Sequence, residues 1–492
     1  MQTDKLFRWV RKDAFVLLCS AGIALWWLIC QLIHPTTPIY INENDQVYSP
    51  LIGIISYFFL ALPVIAYACT KEFRQQRWQT QLCSIGIALM LSTIVFCPFA
   101  YLHAQILFFC FTALDYLTRK SLRIQRPPLF HIACWIYFIW LTISMAWSNN
   151  QDEAVTYFNR IVPLASYSLA FALICLSEQN YRQLLLLFWR VVCIACLLTI
   201  ASGMYEAQRM GMDFSDFIHF QKMRINDIPA YDFLFAWSGT GHPSFNALWL
   251  MAGLACSFFL IDRRCISHIE LVGSCLLILF IVIITQSRVG TVMWSLITLA
   301  GVIYILRHHK YALWSTLSIL GLISLCVGIT QIDTLRTIYS DPTRLNLTRI
   351  AMDYLRVEPW KGCGLGGMTY EYLESVIGYE FSSWWPQYHY SPTMYPHNQF
   401  LGDWMQSGIV GLLVSFNLIF CGFYDAIKQH NYIGVAYLIA IFFFMLIEMP
   451  FHFLGGSTII AFFLCLVLSH RSKPESDTAT GTPACDASTR TK

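Results

Sequence analysis

The sequence is short of charged residues. Asp, Glu, Lys and Arg make up 12% of its 492 residues, whereas hydrophobic residues make up 57%. Soluble globular proteins carry about 25% charged residues, and a soluble fold of this length would have to hide more apolar surface than it can. The net charge of +3 gives no reason to expect a nucleic-acid partner. These shortages exclude an ordinary soluble domain and predict an all-α polytopic membrane protein.

Two further patterns are missing. The 18 cysteines show neither the spacing of a disulfide framework nor that of a zinc site, and nearly all fall inside predicted helices or on the cytoplasmic side. We therefore interpret them as small buried apolar residues. No internal repeat is visible. This counts against a transporter, because transporters usually contain two related halves.

Long apolar runs are abundant. A helix needs about 20 mostly apolar residues to cross the hydrocarbon core of a bilayer. Fourteen runs approach that length, and fusing or losing one pair would give twelve: 14–33, 50–69, 81–97, 100–117, 129–147, 160–176, 184–205, 243–261, 268–286, 290–306, 311–330, 397–423, 431–449 and 453–469. Residues 1–470 thus form a predicted transmembrane domain, and the tail at 471–492 is predicted to be disordered and cytoplasmic.

The positive charges predict the direction of these helices, because Lys and Arg concentrate in cytoplasmic loops. With the N-terminus in the cytoplasm and every run crossing, the inner segments carry 21 of the 32 Lys and Arg residues, and the outer segments carry 10. Both termini are then cytoplasmic, and two long loops at 206–242 and 331–396 lie on the outer side. We expect function there, because polar loops on a rigid scaffold commonly carry binding and catalytic residues.

Arg288 is the first candidate for chemistry. It lies in the segment Thr285-Gln286-Ser287-Arg288-Val289-Gly290, which joins two predicted spans with almost no loop. The arginine is thereby placed at the outer membrane boundary, where its planar guanidinium suits a phosphate or pyrophosphate. The alternative is an arginine that only reaches towards lipid headgroups.

Two histidines hold similar positions at outer helix starts. His397 lies in the segment Pro396-His397-Asn398 at the beginning of the predicted span 397–423, and His242 precedes the span 243–261. The positive end of a helix favours a neutral imidazole, which can act as a base. Helix capping or contact with headgroups is the alternative for both residues.

The large outer loop holds a third candidate region. Arg344 and Arg349 precede a glycine-rich segment at 360–367 that includes Gly364. Dense glycines let backbone N–H groups approach an anion, although a plain structural turn is the more common explanation. The loop also contains aromatic rings of the kind that stack on sugars or form interfacial belts: Trp384, Trp385, Tyr388, Tyr390 and Tyr395.

Four short motifs across residues 235–425 follow an order that resembles the O-antigen ligase and O-antigen polymerase superfamily of bacterial inner membranes. Each motif is weak alone, whereas four in order on the predicted topology are fairly specific. They are Gly239-Thr240-Gly241-His242-Pro243, then Ser287-Arg288-Val289-Gly290, then Arg344 and Arg349 leading to Pro359-Trp360-Lys361-Gly362-Cys363-Gly364, and last His397-Asn398 with Gly408-Ile409-Val410-Gly411.

The resemblance implies a GT-C-like fold and a reaction that needs no metal or other cofactor. A glycan carried on undecaprenyl pyrophosphate is transferred, on the periplasmic face, to a hydroxyl of the lipopolysaccharide core or of a second lipid-linked glycan. Arg288 would hold the pyrophosphate and stabilise its developing charge, and His397 would take the acceptor proton or position the acceptor. The implied additional pyrophosphate-binding residues are Arg344, Arg349 and Arg160. The implied supporting residues are Asn398, His242 and Gly364.

Other hypotheses remain open beside the ligase. A polymerase of the same superfamily is the first alternative, because nothing decisive in the sequence separates it from the ligase that we favour. A flippase for lipid-linked sugars fits the number of spans, although most charges lie at the outer face and not at the bilayer midplane, where alternating access predicts them. A metal-dependent GT-C enzyme would use Glu43-Asn44-Asp45 in the first outer loop, although such an acidic pair is usually just solvated.

Overall fold

The computed structural model describes residues 40–41, 47–48, 62–96, 98–119, 126–209, 224–225, 228–229, 243–285, 287–307, 342–368 and 395–470. Within these ranges the protein is helical, apart from two hairpins of two-residue strands. The antiparallel pairs are β1 (Tyr40–Ile41) with β2 (Val47–Tyr48), and β3 (Arg224–Ile225) with β4 (Ile228–Pro229). The protein is an all-α polytopic membrane protein, as predicted.

The helices follow the order of the predicted spans, although several are longer or shorter than the span that predicted them. They are α1 (Lys71–Arg74), α2 (Trp78–Phe96), α3 (Pro98–Leu117), α4 (Leu129–Ser144), α5 (Gln151–Leu173), α6 (Glu178–Arg209), α7 (Pro243–Asp262), α8 (His268–Ile284), α9 (Arg288–Leu306), α10 (Pro342–Val357), α11 (Gln399–Lys428), α12 (Tyr432–Ile447) and α13 (Leu454–Ser469). Short 3-10 turns at Met145–Trp147 and Pro450–His452 follow α4 and precede α13.

Several of these helices are membrane-spanning candidates by length and composition. Within the described ranges, six are long and apolar enough to cross a bilayer, over Trp78–Val95, Leu129–Trp147, Glu178–Ala201, Ser244–Asp262, Val289–Leu306 and Gln399–Lys428. Four shorter apolar helices accompany them, at Leu102–Leu117, His268–Ile284, Tyr432–Ile447 and Leu454–Ser469. The predicted spans at 14–33 and 311–330 and the tail at 471–492 lie outside the described residues.

The predicted start of the span at 160–176 was wrong. Helix α5 begins at Gln151, so Arg160 lies inside the helix and not at its outer end. The helix begins early because Asn150 Oδ1 accepts a hydrogen bond from Glu153 N at 3.1 Å and caps the first turn. Hydropathy finds only the apolar part of a helix, whereas its true beginning depends on such a cap.

The chain forms two compact units, each with its own core. The first comprises Met1–Gln125, Leu173–Ser295 and His470–Lys492. In it α6 packs against α2, α7 and α8. The approach of α7 to α6 requires a glycine, because a Cβ at Gly253 would lie 2.7 Å from a methyl carbon of Val192.

The second unit comprises Arg126–Ala172 and Leu296–Ser469, and α11 packs there against α4, α10 and α12. The start of α4 has no side-chain cap of its own, and the α11 carboxylate of Asp425 accepts from Phe130 N at 2.7 Å instead. The other end of α11 lies against a buried apolar cluster formed by Leu347, Ile350, Ala351, Tyr354, Leu355, Cys363, Met368, Tyr395, Met405 and Met449.

Candidate functional site

His397 and Glu448 form a pair at the start of α11. The distance from His397 Nδ1 to Glu448 Oε2 is 3.0 Å. The Glu448 side chain is 1% exposed, whereas that of His397 is 25% exposed. A carboxylate on Nδ1 favours the tautomer in which Nδ1 carries the hydrogen, and Nε2 then has a lone pair that accepts a proton. In the part of the chain that the structure describes, nothing hydrogen-bonds Nε2, so this atom is available to a substrate.

The backbone around His397 is fixed by its neighbour. The φ angle of His397 is +48°, a region that non-glycine residues rarely adopt. Asn398 caps α11, because its Oδ1 accepts from Leu401 N at 3.0 Å. Its Nδ2 donates to Leu446 O at 3.2 Å, which ties the start of α11 to the end of α12. Asn398 therefore holds the backbone beside His397 in place. Its predicted supporting role in the reaction stays a prediction.

Arg160 contacts a second histidine. Its Nη1 lies 3.1 Å from Glu153 Oε1 and 3.4 Å from His452 Nε2. Burial, together with the charges of Arg160 and His397, lowers the pKa of His452 to about 3. A neutral His452 accepts at Nε2 the hydrogen that Arg160 donates. Arg160 is thus oriented by one charged and one uncharged acceptor, while its side chain stays partly exposed.

Tyr395 joins the two histidines. Its ring centroid is 4.5 Å from that of His397 and 4.6 Å from that of His452. We call Arg160, Tyr395, His397, Glu448 and His452 the histidine cluster. All five lie in the second unit, so the structure brings together two of the predicted site residues, Arg160 and His397, and adds three others.

The glycine-rich segment fills a break in α11. The helix is interrupted at Gly408, whose φ angle is +68°, so the carbonyls just before it lose their helical partners. Met405 O instead accepts from Cys363 N at 2.8 Å, and Gln406 O accepts from Gly364 N at 2.7 Å. Broken helices need such replacement partners, because an unpaired buried carbonyl is costly.

The glycines themselves allow close packing. A Cβ at Gly364, whose φ angle is +84°, would lie 2.4 Å from Ser148 Cα. The N–H of Gly366 donates to Gln406 Oε1 at 2.9 Å, and that of Gly367 donates to Gly364 O at 3.0 Å. Because these N–H groups already have acceptors within the chain, the contacts favour the structural turn, the more common explanation of such a segment, over an anion-binding backbone.

Arg344 and Arg349, the two arginines predicted in the large outer loop, both lie on α10. The Arg349 side chain is 71% exposed on α10, and its Nε lies 4.0 Å from Asp353 Oδ2. Its predicted part in pyrophosphate binding stays a prediction, because no described contact links it to the histidine cluster. The backbone of Arg344 lies in the first turn of α10, and its role also stays a prediction.

Arg288 is the first residue of α9 and belongs to the first unit. Ser287 Oγ accepts from Gly290 N at 3.1 Å and so caps this helix. The N-terminus of a helix carries partial positive charge, which favours a nearby anion, and the pyrophosphate-binding role of Arg288 stays a prediction. Other predicted candidates lie outside the described residues, namely His242, Glu43, Asp45, Trp384, Trp385, Tyr388 and Tyr390.

Sequence reasoning missed Glu448 and His452. Glu448 stood at the end of a predicted span, where an ionisable residue is a functional candidate by default, so its signal was present. His452 stood in a three-residue gap between two predicted spans. Its contact with Arg160 joins residues 292 positions apart, which a single sequence does not reveal.

This combination of apolar helices with a histidine and a carboxylate at helix ends and an arginine inside a neighbouring helix defines a membrane protein with an enzyme-like polar cluster. Residues 273–416 match the family model described as O-antigen ligase. The predicted resemblance to the O-antigen ligase and polymerase superfamily is therefore confirmed over these residues. The matched stretch includes Arg288 and His397 but not Arg160, Glu448 or His452. No curated protein matches the chain.

Proposed function

We propose that this protein transfers a glycan from undecaprenyl pyrophosphate to an acceptor hydroxyl, in the manner of an O-antigen ligase. The observation that carries the proposal is the His397–Glu448 pair, with Nδ1 and Oε2 3.0 Å apart, beside an oriented arginine. The family match supports the same class of reaction, because His397 lies within the matched residues 273–416.

His397 serves as the general base in this proposal. As the acceptor oxygen bonds to the anomeric carbon of the donor sugar, the hydroxyl proton passes to Nε2. The bond between that carbon and the pyrophosphate oxygen breaks, and undecaprenyl pyrophosphate leaves with the bonding electrons. Glu448 stabilises the imidazolium that forms. A general base of this kind contributes roughly 10²–10⁴-fold to a rate.

Arginines neutralise the leaving group in place of a metal. Arg160 belongs to the histidine cluster, and its contacts with Glu153 and His452 fix its plane so that its other N–H groups can meet phosphate oxygens. Arg288, Arg344 and Arg349 complete the proposed set. Fixed positive groups aimed at developing charge are commonly the largest single contribution to such catalysis.

The proposed place of reaction is the periplasmic face of the bacterial inner membrane. The distribution of 21 inner against 10 outer Lys and Arg residues supports an orientation with both termini in the cytoplasm. The lipid carrier and a polar acceptor, either the lipopolysaccharide core or a second lipid-linked glycan, meet at this interface.

The deciding experiment is a cell-surface glycan profile of a deletion strain that carries wild type, His397→Ala or Arg288→Ala at matched membrane levels. We expect both variants to resemble the deletion. The matched control is His430→Ala, because His430 also has a positive φ angle, of 51°, but lies at the opposite end of α11. Wild-type profiles for both variants would remove the proposed site and favour a flippase.

The same profile separates a ligase from a polymerase. A strain without the ligase accumulates long lipid-linked chains that never reach the acceptor, whereas a strain without the polymerase transfers single repeat units. We expect the first pattern. Single-unit products would assign the histidine cluster to a polymerase of the same superfamily.

A further inference from the structure

Gln399 contacts two segments that lie beside the histidine cluster, although the sequence indicated no role for this residue. It is the first residue of α11, and its side chain is fully buried. Its Nε2 donates to Asp403 Oδ1 at 2.9 Å, and its Oε1 accepts from Phe451 N at 3.0 Å. One amide therefore connects two polar groups that are 48 residues apart in the chain.

Only one orientation of this amide is possible. The Asp403 carboxylate accepts hydrogen bonds, whereas the Phe451 N–H only donates one, so the amide nitrogen must face the former and the amide oxygen the latter. Asp403 is itself fixed, because Tyr137 Oη lies 3.0 and 2.9 Å from its two oxygens and the Ser415 hydroxyl also donates to it. A buried carboxylate with several donors is a rigid anchor.

The two ends of the Gln399 bridge are next to the histidine cluster. On one side, Gln399 lies two residues after His397. On the other side, Phe451 lies three residues after Glu448 and directly before His452. The bridge therefore spans the same junction that the His397–Glu448 contact crosses, and it also fixes the backbone that carries the partner of Arg160.

We propose that Gln399 is a positioning residue, which holds the turn at 448–452 against the start of α11 and thereby sets Glu448 against His397 for glycan transfer. The proposal rests on the proposed function. Gln399 itself touches no substrate group and acts through the His397–Glu448 pair.

A double-mutant cycle tests this role. The assay uses full-length variants in membranes of the deletion strain, which supply donor and acceptor together. Gln399→Met keeps the length of the side chain but loses the hydrogen bonds to Asp403 and Phe451. We expect it to lower kcat by about 10–100-fold with little change in the donor KM, since positioning acts on the chemical step.

The cycle distinguishes positioning from general damage. In a Glu448→Gln background, Gln399→Met should cost less than about threefold more, because residues that act as one unit are not additive. Multiplicative losses would overturn the proposal. The control is Gln429→Leu, which removes another bridging amide, one that donates to Leu468 O at 3.0 Å at the far end of α11, and which should leave kcat unchanged.

Hydrogen exchange provides a readout that does not depend on activity. In Gln399→Met the amide of Phe451 loses its acceptor, so exchange in peptides covering 448–453 should accelerate at least about tenfold, while peptides from α4 stay unchanged. If Gln399→Met does not accumulate, Gln399→Asn, which keeps the amide but is one methylene too short to bridge Asp403 and Phe451, serves in both measurements with a smaller expected effect.

A failure of the proposed function and a failure of the positioning role of Gln399 would give different results. Wild-type transfer by Glu448→Gln alone would remove the proposed role of the His397–Glu448 pair, while exchange at 448–453 would still decide whether Gln399 holds the turn. Unchanged exchange in both Gln399 variants would overturn the positioning role, even if Glu448→Gln were inactive.

Discussion

The turn before α11 and the turn before α13 each present a histidine, and the two are partnered in opposite ways. His397 contacts the buried carboxylate of Glu448 and remains partly exposed. His452 contacts the guanidinium of Arg160, and burial and nearby positive charge lower its pKa to about 3. The first setting places a carboxylate on the imidazole, whereas the second places a cation beside it. In the proposed mechanism the same residue type serves as a base in one turn and as an uncharged acceptor in the other.

Glu448→Gln is expected to give the largest effect on this contrast. The substituted amide would offer His397 Nδ1 either an N–H or a neutral oxygen, so the tautomer would no longer be fixed and the imidazolium would lose its counter-charge. We expect kcat for glycan transfer to fall by about 10²–10³-fold. Asp425→Asn is the control, because it alters another buried carboxylate of the same unit, one that accepts from Phe130 N at the far end of α11. Equal losses in both variants would contradict the role of Glu448.

Arg160→Lys is expected to give the second-largest loss of activity. Lysine keeps the charge but cannot donate in two fixed directions, so it cannot contact Glu153, His452 and a phosphate together. We expect kcat/KM for the donor to fall about tenfold. Arg356→Lys, on the exposed face of α10, replaces an arginine that is paired with Asp353 at 2.7 Å and should behave as wild type. A wild-type value for Arg160→Lys would show that only the charge matters.

His452→Gln should have a smaller effect than any change at His397. The glutamine oxygen still accepts from Arg160, so the main loss is packing against the Tyr395 ring. We expect about a two- to fivefold loss of transfer at neutral pH. If His452→Gln were as inactive as His397→Ala, the two turns would not differ in the way that their partners indicate.

The pH dependence of stability sharpens the same contrast. The folded-state pKa of His452, about 3, lies below its ordinary value of 6.5, so between these values the unfolded chain binds more protons than the folded one. The free energy of unfolding should therefore decrease as the pH falls from about 6.5 towards 3, and it should be fully retained above that window. Thermal unfolding in detergent should show a shallower acid decline for His452→Gln than for wild type. Identical pH profiles would contradict the buried neutral state.

Much of the architecture could be predicted from the sequence. Apolar runs predicted the helices α7, α8, α9 and α13 nearly to the residue, because length and hydropathy are local properties. The start of α5 was missed because it depends on the cap from Asn150. The anion-binding interpretation of Gly364 did not account for the break in α11 at Gly408. The carbonyls before this break accept hydrogen bonds from the glycine-rich segment.

The sequence by itself determined that this is a polytopic membrane protein and that residues 273–416 resemble the O-antigen ligase family, because composition and short motifs are properties of the chain itself. It also indicated His397 and Arg160 as candidates. Only the tertiary structure decided their partners. Glu448 is 51 positions from His397, and His452 is 292 positions from Arg160. A proton-accepting tautomer or an oriented guanidinium depends on an atom within about 3–3.5 Å, and which atom that is follows from how the helices pack.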